Sequence, residues 1–153
     1  MKNILLLEND VVLLREIKDI LTERQENNTG FIFNVIACSN IYLANEALKK
    51  FPKIDIIVTD LNMPTNGLDE SMIHETLCGC LTGWVWLKNY VLNVDKFKKT
   101  NVIIWSSYSE LFVSEICSEA DLNDIYGNSE RSIKLQSKYH DYSLKKIILD
   151  LIK

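Results

Sequence analysis

The stretch Ile54-Asp55-Ile56-Ile57-Val58-Thr59-Asp60-Leu61-Asn62-Met63-Pro64 carries the reading of the fold. Residues 54–59 are dominated by β-branched aliphatic types and then deliver a carboxylate, Asp60, at the end of the run. A short, nearly continuous apolar run is the pattern of a strand buried on both faces, as in a parallel sheet covered by helices. Polar residues gathered just after such a strand lie where ligands bind in open α/β sheets, outside the carboxyl ends of the strands.

Working outward, the same pattern repeats. Residues 3–7 form an apolar strand that ends at Glu8-Asn9-Asp10. From Val11 onward Leu14, Ile17, Ile20 and Leu21 recur at helical spacing, until Asn27-Asn28-Thr29-Gly30 stops them. Residues 31–37 are aromatic and β-branched and predict a second strand, and 41–50 a helix ended before Pro52. Beyond Pro64, Trp84, Val85, Leu87, Tyr90 and Val91 mark a helix over 84–92. Trp84 and Trp86 stand two residues apart, a spacing that points one inward and the other toward the surface. Residues 101–105 predict a fourth strand ending at Ser106, followed by a helix near 109–119. Ile133-Lys134-Leu135-Gln136-Ser137 alternates as a fifth strand at a sheet edge, and 143–152 closes with an amphipathic helix. Segments 65–82 and 121–132 break the alternation and read as loop insertions.

Strands alternating with helices imply an α/β fold, a doubly wound parallel sheet with helices on both faces. At 153 residues, one domain is expected. The chain is 47% hydrophobic and 25% charged, ordinary values for a globular protein. Its net charge of -4 argues against direct nucleic-acid binding. No apolar run is long enough to insert in a membrane or to serve as a signal peptide, which gives a cytoplasmic expectation. Cys38, Cys78, Cys80 and Cys117 lack zinc-site spacing and are expected as thiols. Asp69, Glu70, His74, Glu75, Cys78 and Cys80 are of metal-binding types, but a C-x-C pair with one nearby histidine lacks a fourth ligand, so 65–82 reads instead as a lid or partner-contact surface. Lys96-Phe97-Lys98-Lys99 reads as a solvated turn.

Ile4-Leu5-Leu6-Leu7-Glu8-Asn9-Asp10, Asp55 through Pro64, Val102-Ile103-Ile104-Trp105-Ser106-Ser107 and Lys134-Leu135-Gln136-Ser137-Lys138 together resemble, in order, the motifs of the response regulator receiver family of two-component signalling. The resemblance implies a flavodoxin-like sheet of five parallel strands in the order 2-1-3-4-5. It implies that Asp60 accepts a phosphoryl group from a histidine kinase or phosphotransfer protein, with Ser106 and Lys138 contacting that group. It implies Mg²⁺ held by Asp60, Asn9 and the Asn62 main-chain carbonyl, with Glu8 acting through water. Transfer between two anions needs such a cation, and Mg²⁺ takes oxygen ligands. The implied protein is a stand-alone regulator that signals by docking an unknown downstream protein. Its enzymology would amount at most to Mg²⁺-dependent self-phosphorylation and autodephosphorylation at Asp60.

The chain departs from the family's pattern in three places. Asn9 stands where a second acid is usual, with Asp10 next to it as a possible compensating charge. Tyr139 replaces the proline that usually follows the lysine, and a rival alignment puts Asn128 at the lysine position. Leu135 replaces an aromatic residue on the last strand. The alternative reading is therefore a degenerate pseudo-receiver, a phosphorylation-independent interaction module. A flavodoxin-like enzyme or nucleotide-binding protein is disfavoured, because no Gly-rich phosphate loop follows the first strand.

Overall fold

A computed structural model describes residues 1–22, 33–138 and 144–152. Five strands, β1 (Lys2–Leu7), β2 (Phe33–Cys38), β3 (Ile56–Thr59), β4 (Asn101–Ser106) and β5 (Ile133–Ser137), form one parallel sheet in the order β2-β1-β3-β4-β5. The helices are α1 (Val11–Thr22), α2 (Ile41–Lys50), α3 (Thr82–Leu87), α4 (Ser109–Glu115), α5 (Glu119–Tyr126) and α6 (Leu144–Leu151). The architecture is the doubly wound α/β sheet expected from the sequence. Phe31 and Ile32, the expected end of α1 at 27–30, and Tyr139 lie outside the described residues.

The central strands are buried on both faces, and alternate residues feed two cores. Ile4, Leu6, Ile56, Val58 and Ile103 pack with Leu14, Ile17 and Leu21 of α1 and with Leu144 and Ile148 of α6. Leu5, Leu7, Ile57, Val102 and Ile104 face the other way, toward Ile41, Ala44 and Leu48 of α2, α3, Phe112 of α4 and Leu122 of α5. The two-residue repeat of a strand thus decides which core each aliphatic joins. Between β1 and β3 the chain reverses its direction of travel across the sheet, which opens the crevice where such folds bind ligands.

Helix ends follow local chemistry. Asp10 Oδ1 accepts hydrogen bonds from Val12 N (3.0 Å) and Leu13 N (3.1 Å), capping α1. Asn40 caps α2 through Leu43 N, and Phe51, directly before Pro52, is already extended at φ -93° and ψ 121°.

Two expectations need correction. Segment 121–132 is not all loop: the helix expected near 109–119 ends at Glu115, and α5 runs through Tyr126. Ser118 and Asp121 form a reciprocal capping box, and Leu122 is fully buried, so local capping and core packing together make the second helix. Segment 65–82 likewise contains a 3-10 helix, Glu70–Thr76, before left-handed backbone at Leu77, Cys78 and Gly79 (φ 48°, 57° and 97°).

Neither tryptophan of α3 sits near the surface; Trp84 is 7% exposed and Trp86 not at all. The helix is covered all round. Trp86 Nε1 donates to Asn45 Oδ1 of α2 (2.9 Å), while Trp84 meets Phe112 and Tyr126 edge-on at centroid distances of 5.1 and 6.0 Å. Past Leu87 the helix continues as a π turn over Lys88–Leu92.

Gly83 is the point of closest approach between α3 and β3. Its N–H donates to Leu61 O (3.0 Å), and a Cβ there would stand 1.8 Å from Asp60 O. Gly83→Ala should therefore push α3 off the end of β3, with a loss at or beyond the upper end of the about 1–3 kcal/mol typical of overpacking. Urea unfolding of the variant against the parent protein measures it.

Candidate functional site

Four residues distant in the chain meet at the carboxyl ends of β1, β3, β4 and β5. Glu8 follows β1 and is 2% exposed. Its main-chain N–H continues the ladder to Cys38 O (3.1 Å), and its Oε1 accepts from Asp10 N (2.9 Å). Asp60 follows β3, is 6% exposed, and donates its N–H to Leu7 O (3.1 Å). Sheet pairing therefore places the two acids side by side.

The Asp60 carboxylate is held through both oxygens. Oδ1 accepts from Leu61 N (2.6 Å), Asn62 N (3.3 Å) and the buried Ser106 Oγ (2.5 Å); Oδ2 accepts from Lys138 Nζ (2.7 Å). The same ammonium donates to Glu8 Oε2 (2.5 Å) and lies 5.0 Å from the centroid of the Trp105 ring. Ser106 and Ser137 are register partners on β4 and β5, and Lys138 N extends that ladder to Ser106 O (3.3 Å). The hydroxyl and the ammonium thus reach Asp60 from neighbouring strands.

Burial by itself would make the Lys138 ammonium easier to deprotonate. The hydrogen bonds it donates to Asp60 and Glu8, together with their charges, outweigh that and raise its pKa above the ordinary lysine value. Two acids and one ammonium leave the cluster with a formal charge of one negative.

Asn9 and Asn62 are exposed and line one cleft of about 420 Å³ with Met63, Pro64, Thr65, Asn66, Cys78 and Gly79. Thr65, Asn66, Cys78 and Gly79 of the segment 65–82 therefore share a cleft with Asn62, two residues past Asp60. Asp10 does not extend the acidic set, because its carboxylate is engaged in capping α1. Asn128, the rival for the lysine position, closes the turn before β5 by accepting from Glu130 N (2.8 Å) and Arg131 N (2.9 Å), at the far end of that strand from Asp60. All four cysteines are free thiols, and among the described residues no three His, Cys, Asp or Glu side chains converge as a metal cluster.

Two contributors escaped the sequence reading. Thr59 Oγ1 donates to Asp60 O (2.9 Å), and Gly83 lets α3 close on that same peptide. Neither has a periodicity or motif signal; a glycine opening an apolar helix was the one available hint.

The structure is similar to the receiver domain of a Francisella response regulator, with a TM-score of 0.56 and 22% identity over 99% of this chain and 94% of that one. The chain has the receiver fold. A Rhodopirellula baltica structure described as an adenylate cyclase is similar at a TM-score of 0.51 and 16% identity, covering 99% of this chain and 84% of that one. No protein-family model matches the sequence, and no curated protein matches it. Among the described residues no helix of this receiver fold is long and apolar enough to cross a membrane.

The raised Lys138 pKa has a stability consequence of definite sign. Its stabilisation is fully present below the unfolded value, taken as 10.5, and is lost as pH rises through the higher folded value. Unfolding midpoints followed above that pH should fall more steeply for the parent protein than for Lys138→Met.

Proposed function

We propose that the chain is a response regulator receiver that accepts a phosphoryl group on Asp60 from a phosphohistidine donor and passes the signal on by docking a partner protein. The observation that carries this reading is the buried Asp60 carboxylate at the end of β3, bonded at once to Ser106 Oγ and Lys138 Nζ. A carboxylate oxygen attacks phosphorus, the P–N bond breaks, and the imidazole nitrogen keeps the electron pair and takes up a proton. Ser106 and Lys138, already on the carboxylate, exchange their bonds to it for bonds to the phosphoryl oxygens. The added charge of about -1.5 to -2 then draws β4 and β5 toward Asp60 and changes the surface formed by β4, α4 and β5.

The residues present fit a hard divalent cation. Glu8 and Asp60 are close enough to share one ammonium, and Asn9 and Asn62 line the adjoining cleft, so these four residues offer oxygen donors. Glu8, Asn9, Asp60 and the Asn62 main-chain carbonyl would hold Mg²⁺. When bound, it supplies positive charge that offsets the approach of two anions. The partners are a histidine kinase or phosphotransfer protein upstream and a protein target downstream.

One observation favours the second reading, a pseudo-receiver that docks partners without phosphorylation. Asn9 contributes no charge, and Lys138 already neutralises one of the two acids, so little net negative charge is left to draw a cation. A small phosphodonor with Mg²⁺ should add one phosphoryl mass that is acid-stable and base-labile, and Asp60→Asn should abolish it. Absence of the adduct, or its survival in Asp60→Asn, overturns the phosphoacceptor reading. Trp105 emission should saturate with Mg²⁺ in the low millimolar range or below and lose that response in Asp60→Ala; indifference to Mg²⁺ supports the pseudo-receiver.

A further inference from the structure

β5 lies at the edge of the sheet, with one ladder neighbour, β4. It is five residues long, and only Ile133 is fully buried; the next four are part-exposed. A strand with so little buried surface specifies its own register weakly. Yet the aim of Lys138 depends on that register. A slip of two residues moves a strand position by about 7 Å, which would take the ammonium out of reach of both Glu8 and Asp60.

The outer edge of β5 carries something in place of a neighbouring strand. Asn123 of α5 accepts from Ile133 N at Oδ1 (2.9 Å) and donates from Nδ2 to Ile133 O (2.7 Å), the paired bonds that another strand's backbone would supply. One helical turn earlier, Glu119 Oε2 accepts from Leu135 N (2.8 Å), while its Oε1 pairs with Lys134 Nζ (3.1 Å). Two side chains four apart on one helix thus meet alternate residues of the strand, two of those whose backbone groups face outward. Most of the helix that supplies them, from Asp121 on, falls in the segment 121–132 expected as loop.

We propose that Glu119 and Asn123 are positioning residues, a side-chain clamp that substitutes for a sixth strand, locks β5 in register and thereby holds Lys138 on Glu8 and Asp60. The clamp does on the outer edge what Ser106 and Lys138 do on the inner one. It also occupies the edge that would otherwise be open to pairing with a second chain. The proposal rests on the phosphoacceptor site described above only for its consequence in catalysis; the clamp itself is a matter of register and geometry.

The test uses Glu119→Ala and Asn123→Ala, with Glu119→Gln and Asn123→Asp as conservative partners. Glu119→Gln keeps an oxygen for Leu135 N, and Asn123→Asp keeps one for Ile133 N. Native-state amide exchange at Ile133 and Leu135 should speed up roughly tenfold or more in the alanine variants, the size expected for losing a hydrogen bond to a charged or paired group. The Trp105 contribution to emission, isolated against Trp105→Phe in each background, should move toward its value in Lys138→Met and return in Glu119→Gln. Faster exchange at Ile133 and Leu135 with Trp105 emission unchanged would show a merely structural contact and overturn the proposal, as would unchanged exchange. Phosphorylation is read separately. If the parent protein takes up the phosphoryl group, the alanine variants should do so roughly ten- to a hundredfold more slowly. If the parent takes up none, the function proposed for Asp60 fails while the exchange and emission results still decide the clamp.

Discussion

Lys138 Nζ stands between two buried carboxylates, 2.5 Å from Glu8 Oε2 and 2.7 Å from Asp60 Oδ2. Neither acid can be withdrawn from water cheaply, and sheet pairing places them together at the crevice whether or not a cation is present. Removing one partner from a buried pair of this kind costs about 3–5 kcal/mol, because the remaining charge is left uncompensated. The ammonium therefore ties the last residue of the β5 ladder to the ends of β1 and β3, and the arrangement of β4, β5 and α5 can be understood as what keeps it there.

The sheet supplies the rest by geometry. Parallel pairing brings all strand ends to one side, and the reversal between β1 and β3 leaves a crevice over Glu8 and Asp60. Two separate cores, one on each face, fix the central strands by burying alternate residues on opposite sides. Gly83 then allows α3 to close on the Asp60 peptide, while Thr59 satisfies its carbonyl. Asp60 is thus held by main chain and side chain alike, which leaves its carboxylate oriented before any ligand arrives.

The two segments that interrupt the regular alternation do different work. Residues 65–82 end their 3-10 helix in a left-handed turn, which sets Cys78 and Gly79 in one cleft with Asn9 and Asn62. The segment after Ser118 instead becomes α5, which presents Glu119 and Asn123 to the open edge of β5. One lines the cleft that adjoins the site; the other braces the strand that delivers its cation.

Sequence by itself was enough for the order of strands and helices, and for Glu8, Asp60 and Ser106 at strand ends, because burial on two faces writes itself into a run of apolar residues and ends visibly at the first polar one. It reached Lys138, whose partners lie 130 and 78 residues away, only through the family resemblance, which preferred that residue to Asn128. It also missed α5, the burial of both tryptophans of α3, and the contact at Gly83. Periodicity reports which face of its own element a residue occupies. What stands opposite that face, whether Phe112 against Trp84, Asp60 O against Gly83 or Ile133 against Asn123, exists only once the chain has folded, and only the tertiary structure decided it.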